Sequence, residues 1–112
     1  MEIKVKKIKD KTLIQVSGTV DLYSSPDLRE EIQGQLKAKN NHEVVVDLGE
    51  VDYIDSSGIA TLVEGLQVSG KMDKKFSLAR LNKKVRDVFS LARLETVFTI
   101  YDDLARLNEN PD

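Results

Sequence analysis

The sequence predicts a single α/β domain, one mixed β-sheet of four or five strands with about four helices packed on it. Three observations point there. Short β-branched runs alternate with segments of helical apolar spacing, the pattern of parallel strands joined by right-handed crossovers. The first two apolar runs are separated by little more than Asp10-Lys11, which suits a hairpin and is too short for a crossover. The length of 112 residues fits one compact domain, and 40% hydrophobic residues suffice for one core. The expected order is β-β-α-β-α-β-α-β-α, with the domain over residues 1–108 and a short flexible tail at 109–112.

Taken in order, Ile3, Val5 and Ile8 alternate with lysines as on a half-exposed strand, and Leu13 to Ser17 reads as its antiparallel partner, ending at Gly18. A loop from Thr19 to Ser25 follows. Ser25-Pro26 is a helix-start pair, a hydroxyl that can accept from an unpaired amide before a proline suited to the first turn. Leu28, Ile32 and Leu36, four apart, give that helix its apolar stripe, and Asn40-Asn41-His42 breaks it. Val44 to Leu48 is a nearly continuous apolar run, as in a strand covered on both faces, and Gly49 to Ile54 leads out of it. From Ser57, the spacing of Ile59, Leu62, Val63 and Leu66 predicts a second helix, ended at Ser69-Gly70 by a left-handed glycine. Phe76 to Leu81 reads as a strand. Asn82 caps a third helix with Val85, Val88, Phe89 and Ala92 on one face, Thr96 to Tyr101 is the last strand, and Asp102 to Leu107 is a short fourth helix.

Composition and motifs exclude much. The net charge of −2 offers no general attraction to nucleic acid or an anionic membrane. Without cysteine there are no disulfides or thiolate metal sites, and no apolar run is long enough to span a bilayer. The alternating start, Met1 to Lys6, is unlike a signal peptide, so a cytoplasmic domain is expected. His42, the only histidine, falls in a polar break and reads as a solvated loop residue. The sequence lacks G-x-S-x-G, a Walker motif, G-x-G-x-x-G and carboxylates at metal-ligand spacing, so neither an enzyme nor a metal or cofactor is expected. Lys4, Lys6, Lys7, Lys9 and Lys11, and Lys71, Lys74 and Lys75, have no interleaved aromatics and read as solvated edge and turn residues rather than a nucleic-acid surface.

What remains is Ile54-Asp55-Ser56-Ser57-Gly58, where two hydroxyls follow a carboxylate as a strand hands over to a helix. Helix N-termini expose unpaired amides and partial positive charge, so Asp55, Ser56 or Ser57 can be an ordinary cap. Spacing alone does not choose between a cap and a modified serine. The topology can also bring Asp21, Tyr23, Ser24 and Ser25 to the same sheet end as Ser56, where such folds place functional loops.

These stretches carry a resemblance. Val16-Ser17-Gly18-Thr19-Val20-Asp21 through Arg29, Val45-Val46-Asp47-Leu48, Val51 through Ile59, Phe76-Ser77-Leu78 and Val85 through Phe89 resemble a STAS domain of the anti-sigma factor antagonist family over nearly the whole chain. The resemblance implies a non-enzymatic, bacterial partner-switching protein. Unmodified, it would bind an anti-sigma factor that is also an ATP-binding serine kinase and so release the sigma factor. Phosphorylation at Ser56 would end that binding, and a metal-dependent serine phosphatase would restore it. Asp55, Ser57 and Gly58 would support the site, Ser57 as a cap or hydrogen-bonding residue. The partner would meet Asp21, Tyr23, Ser24, Ser25, Ser56, Ile59 and Ala60. Ile59-Ala60 departs from the leucine-glycine of many relatives, and Ala60 keeps that surface flat. An alternative within the same fold is a regulator of another target: biofilm or secretion signalling, a stressosome-like scaffold or a transporter subunit. The rival of another class is an enzyme using Ser56 with Asp21.

Overall fold

Val44 to Val46 are fully buried in the central strand of a five-stranded sheet, as their unbroken apolar run requires. The computed structural model describes residues 1–108. Its strands are β1 (Glu2–Ile8), β2 (Lys11–Val20), β3 (Glu43–Ile54), β4 (Lys75–Ala79) and β5 (Thr99–Tyr101). They lie side by side in chain order, with β1 antiparallel to β2 and the remaining pairs parallel. The crossovers contain α1 (Ser25–Lys37), α2 (Ser56–Lys71) and α3 (Lys83–Leu91).

One face of the sheet carries the main core. Ile14, Val16, Val46, Leu48, Phe76 and Leu78 meet Leu28, Ile32 and Leu36 of α1, Leu62 of α2, and Val85 and Phe89 of α3. The stripe in α1 behaves as its spacing predicts, with all three residues at most 1% exposed. Gly65 lets α2 come close: a Cβ there would lie 2.9 Å from Phe76 Cζ and 3.2 Å from Ile32 Cγ2. The other face holds a small cluster, Leu13, Val45, Ala79 and Leu107. Beside it lies a polar group centred on Asp47. The Asp47 carboxylate accepts from Arg80 Nε at 2.9 Å and Nη2 at 2.6 Å, from Gln15 at 3.1 Å and from the Gly49 amide at 3.0 Å. Burial pushes the Asp47 carboxyl up, but Arg80, Gly49 and Gln15 outweigh it and hold it below the usual carboxylate range.

Several sequence expectations change. The fourth helix is a 3₁₀ stretch, Leu104–Asn108, which sends Leu104 and Leu107 onto the second face; this leaves three α-helices among the described residues. The tail expected at 109–112 lies outside the described residues. Gly18 does not end β2. It has φ of +88° beside a register shift, and the strand continues through it to Val20. Nor does Gly70 end α2, which runs to Lys71. Asp73, at φ +55°, takes the left-handed position, and the Lys74 amide bonds back to Ser69 O at 2.9 Å. Arg93, at φ +59°, does the same after α3, with the Leu94 amide on Phe89 O at 2.8 Å. That turn delays β5 to Thr99 and drops Phe98 into the core, 5.8 Å from the Phe89 ring and 6.5 Å from Phe76. On the β4 side, Arg80 at φ +54° ends the strand two residues before Leu81.

Arg80→Met is expected to cost about 2 kcal/mol in urea unfolding. This falls below the roughly 3–5 kcal/mol of a fully buried pair because water screens an arginine side chain that is 35% exposed. Since the Asp47 carboxyl is depressed in the folded state, its contribution is complete above the ordinary value of 3.8 and is lost as pH falls through the depressed one. The stability difference between wild type and variant should therefore shrink on acidification.

Candidate functional site

β2 and β3 end together: Val20 pairs with Ile54, and the Asp55 amide donates to Val20 O at 3.1 Å. The loop after β2 and the start of α2 thus leave the same end of the sheet as neighbours. Asp21 and Ser56 therefore stand at the same end of the sheet, as the topology suggested.

In the first loop the Asp21 carboxylate accepts from the Tyr23 amide at 2.9 Å and the Ser24 amide at 3.0 Å. The Ser24 hydroxyl accepts from the Asp21 amide at 2.9 Å and donates to Thr19 O at 2.9 Å. The Ser24 amide, chiefly, and the Tyr23 amide hold the Asp21 carboxyl below its ordinary range against the opposing effect of burial. This inward bonding explains a second difference from the sequence reading. Ser24, not Ser25, is the residue before α1, and it makes no side-chain cap bond because its hydroxyl serves the loop. Ser25 is buried in the first turn, its amide on Asp21 O at 2.8 Å. Tyr23 stands out into solvent at 89% exposure.

At α2 the choice among three cap-forming residues resolves to Asp55. Its backbone is extended, and its Oδ1 accepts from the Ser57 amide at 2.9 Å and the Gly58 amide at 3.2 Å. Ser57 takes part through its backbone, its carbonyl accepting from Thr61 Oγ1 at 3.0 Å. Ser56 is the exposed first residue of the helix. Gly58 is buried where the helix rests on both strand ends: a Cβ would lie 2.6 Å from Ile54 Cγ1 and 2.8 Å from Val20 Cγ1. Ile59 is half-buried against the core, while Ala60 is exposed. Two further residues flank the region and were missed from sequence: Leu22, 65% exposed, and Tyr53, 56% exposed. Tyr53 pairs with Thr19, two residues before Asp21. Leu22 has no periodic partners in the sequence, and that was the available signal. Tyr53 had none, because its segment read as a lead into the helix. His42 precedes the start of β3, at the other end of the strand from Ser56, with its ring 3.9 Å from the Asp10 carboxylate. Among the described residues no helix is long and apolar enough to cross a membrane.

Parallel strands that run in sequence order, with a second helix that starts at an exposed serine behind a carboxylate cap, define a class of small single-sheet α/β domains. The chain belongs to the STAS domain family, whose model matches residues 2–107. It is 27% identical over 99 residues to an anti-sigma-B factor antagonist of Staphylococcus epidermidis, covering 88% of this chain and 84% of that one. Its fold matches a crystal structure of an anti-sigma factor antagonist from Mycobacterium paratuberculosis with a TM-score of 0.83, at 24% identity and over 95% of this chain and 89% of that one. It also matches the Bacillus cell fate determinant SpoIIAA in its phosphorylated form, with a TM-score of 0.70 at 14% identity, over 91% of this chain and 93% of that one.

The geometry separates the support residues by thermal or urea unfolding. Gly58→Ala should cost about 1–3 kcal/mol, because its methyl group meets two branched side chains at once. Asp55→Ala should cost about 1 kcal/mol through loss of the cap. Ser57→Ala should stay within about 0.5 kcal/mol, because the backbone of Ser57 carries its bonds.

Proposed function

We propose that this protein is an anti-sigma factor antagonist that works by partner switching. The unmodified domain binds an anti-sigma factor that is also an ATP-binding serine kinase, freeing the sigma factor. Phosphorylation of Ser56 ends the binding, and a metal-dependent serine phosphatase resets it. On this reading the exchange takes place in the cytoplasm, where ATP and sigma factors are found.

The observation that carries this reading is the exposure of Ser56 at the first position of a capped helix, beside the Asp21 loop. A kinase can reach that hydroxyl without unfolding the domain. The name of the Staphylococcus epidermidis relative supports the role, and a phosphorylated form of SpoIIAA supports a phosphate on a protein of this fold. Leu22, Tyr23 and Tyr53 offer the exposed apolar area that an interface uses as anchors. Asp21, Ser24 and Ala60 complete the partner-facing surface. Ile59, half-buried like Asp21 and Ser24, belongs to the same surface, whereas Ser25, buried in the first turn of α1, acts by holding that turn in place rather than by contact.

A phosphate brings nearly two negative charges and three acceptor oxygens to the centre of this surface. Its desolvation against a partner needs to cost only about 3 kcal/mol to lower affinity more than a hundredfold. Calorimetry with the cognate kinase tests the switch. Ser56→Ala should bind like wild type and take no phosphate, whereas the phosphorylated wild type should lose roughly a hundredfold or more in affinity. Equal affinity for all three forms would overturn the proposal, and recovery of transporter subunits instead of a kinase from native extracts would favour the non-sigma reading.

A further inference from the structure

The capping geometry bears on what a phosphate at Ser56 does within this domain, a question that rests on the reading just proposed. A phosphoserine at the start of a helix ordinarily gains from the unpaired amides and positive end of that helix. Here the Ser57 and Gly58 amides already serve the Asp55 carboxylate, at 2.9 and 3.2 Å. The neighbouring loop is similarly occupied, with the Tyr23 and Ser24 amides on Asp21. The charged groups nearest in the chain and across the strand pair are thus two carboxylates, Asp55 on α2 and Asp21 after β2. The Asp55 amide is tied to Val20 O, immediately before Asp21, and Gly58 packs so close to Ile54 and Val20 that a Cβ there would lie 2.6 and 2.8 Å from them, which seats the first turn on both strand ends. Of the amides at the start of α2, that of Ser56 itself is the one Asp55 does not hold.

We infer that Asp55 is a positioning residue that keeps phosphate off its own helix. By holding the Ser57 and Gly58 amides it leaves a phosphate on Ser56 at most that residue's own amide, so the phosphate projects outward with most of its charge uncompensated. The domain then keeps its fold on modification, and that charge is delivered to whatever docks there. A serine with free helix amides behind it would instead fold the phosphate back and blunt the signal. The carboxylate next to the serine works by competition for donors as well as by repulsion.

The experiment installs phosphoserine at position 56 during synthesis, so no kinase is needed and failure of the kinase reading is separate from failure of this one. Phosphorus NMR then gives the second phosphate pKa, and amide spectra report Ser57 and Gly58. In the wild type the phosphate should titrate at or above the value of about 6 for an unstructured phosphoserine, and the two amides should not follow its titration. In Asp55→Ala the phosphate pKa should fall by about one unit and both amides should track it. Asp55→Asn, which keeps a capping oxygen without the charge, should show a smaller fall with the amides still silent, and it serves if the alanine variant is unstable. A depressed phosphate pKa in the wild type, with Ser57 and Gly58 titrating alongside it, would show that phosphate displaces Asp55 and would overturn the inference.

Discussion

The joint ending of β2 and β3 is the constraint on which the site depends. Pairing of Val20 with Ile54 brings two chain segments out of the sheet side by side, and the Asp55 amide closes the pair on Val20 O. Both side chains are buried, and both meet the empty side of Gly58. The start of α2 is therefore set by packing against the sheet as much as by its own cap. A shift of either strand by one residue would turn Val20 or Ile54 outward, and the helix would lose its seat.

The two loops at this end share one device. In each, a carboxylate turns inward to bind amides two and three residues ahead, Asp21 to Tyr23 and Ser24, Asp55 to Ser57 and Gly58. This bonding pattern gives an irregular segment a fixed shape without regular structure and leaves the intervening side chains, Leu22 in one loop and Ser56 in the other, pointing away from the bonded core. Order in the backbone and exposure of the side chain are thus achieved together.

Much of this was legible in the sequence. Val44 to Leu48 and the Leu28, Ile32, Leu36 stripe announced the central strand and the first crossover helix, because burial there follows directly from periodicity. The Asp55-Ser56-Ser57-Gly58 junction was also visible as a helix start. Which of its residues caps was not, since aspartate and serine cap about equally well and only the extended backbone at Asp55 decides. The end of α2 was misread at Gly70 because Asp73, further on, adopts the left-handed conformation usually given to glycine. β5 was read too long because Thr96 to Phe98 has strand-like composition, while Phe98 is in fact spent filling the gap between Phe76 and Phe89.

The strand order has a consequence for the kind of ligand this molecule can accept. Its parallel strands follow one another across the sheet without a reversal, so every right-handed crossover lays its helix on the same side. Nucleotide-binding α/β proteins open a crevice where the winding direction changes and successive helices part to opposite sides. A sheet wound one way has no such parting. The segments that leave β2 and β3 emerge side by side instead, joined by the Asp55 amide on Val20 O, without a crevice of that kind between them.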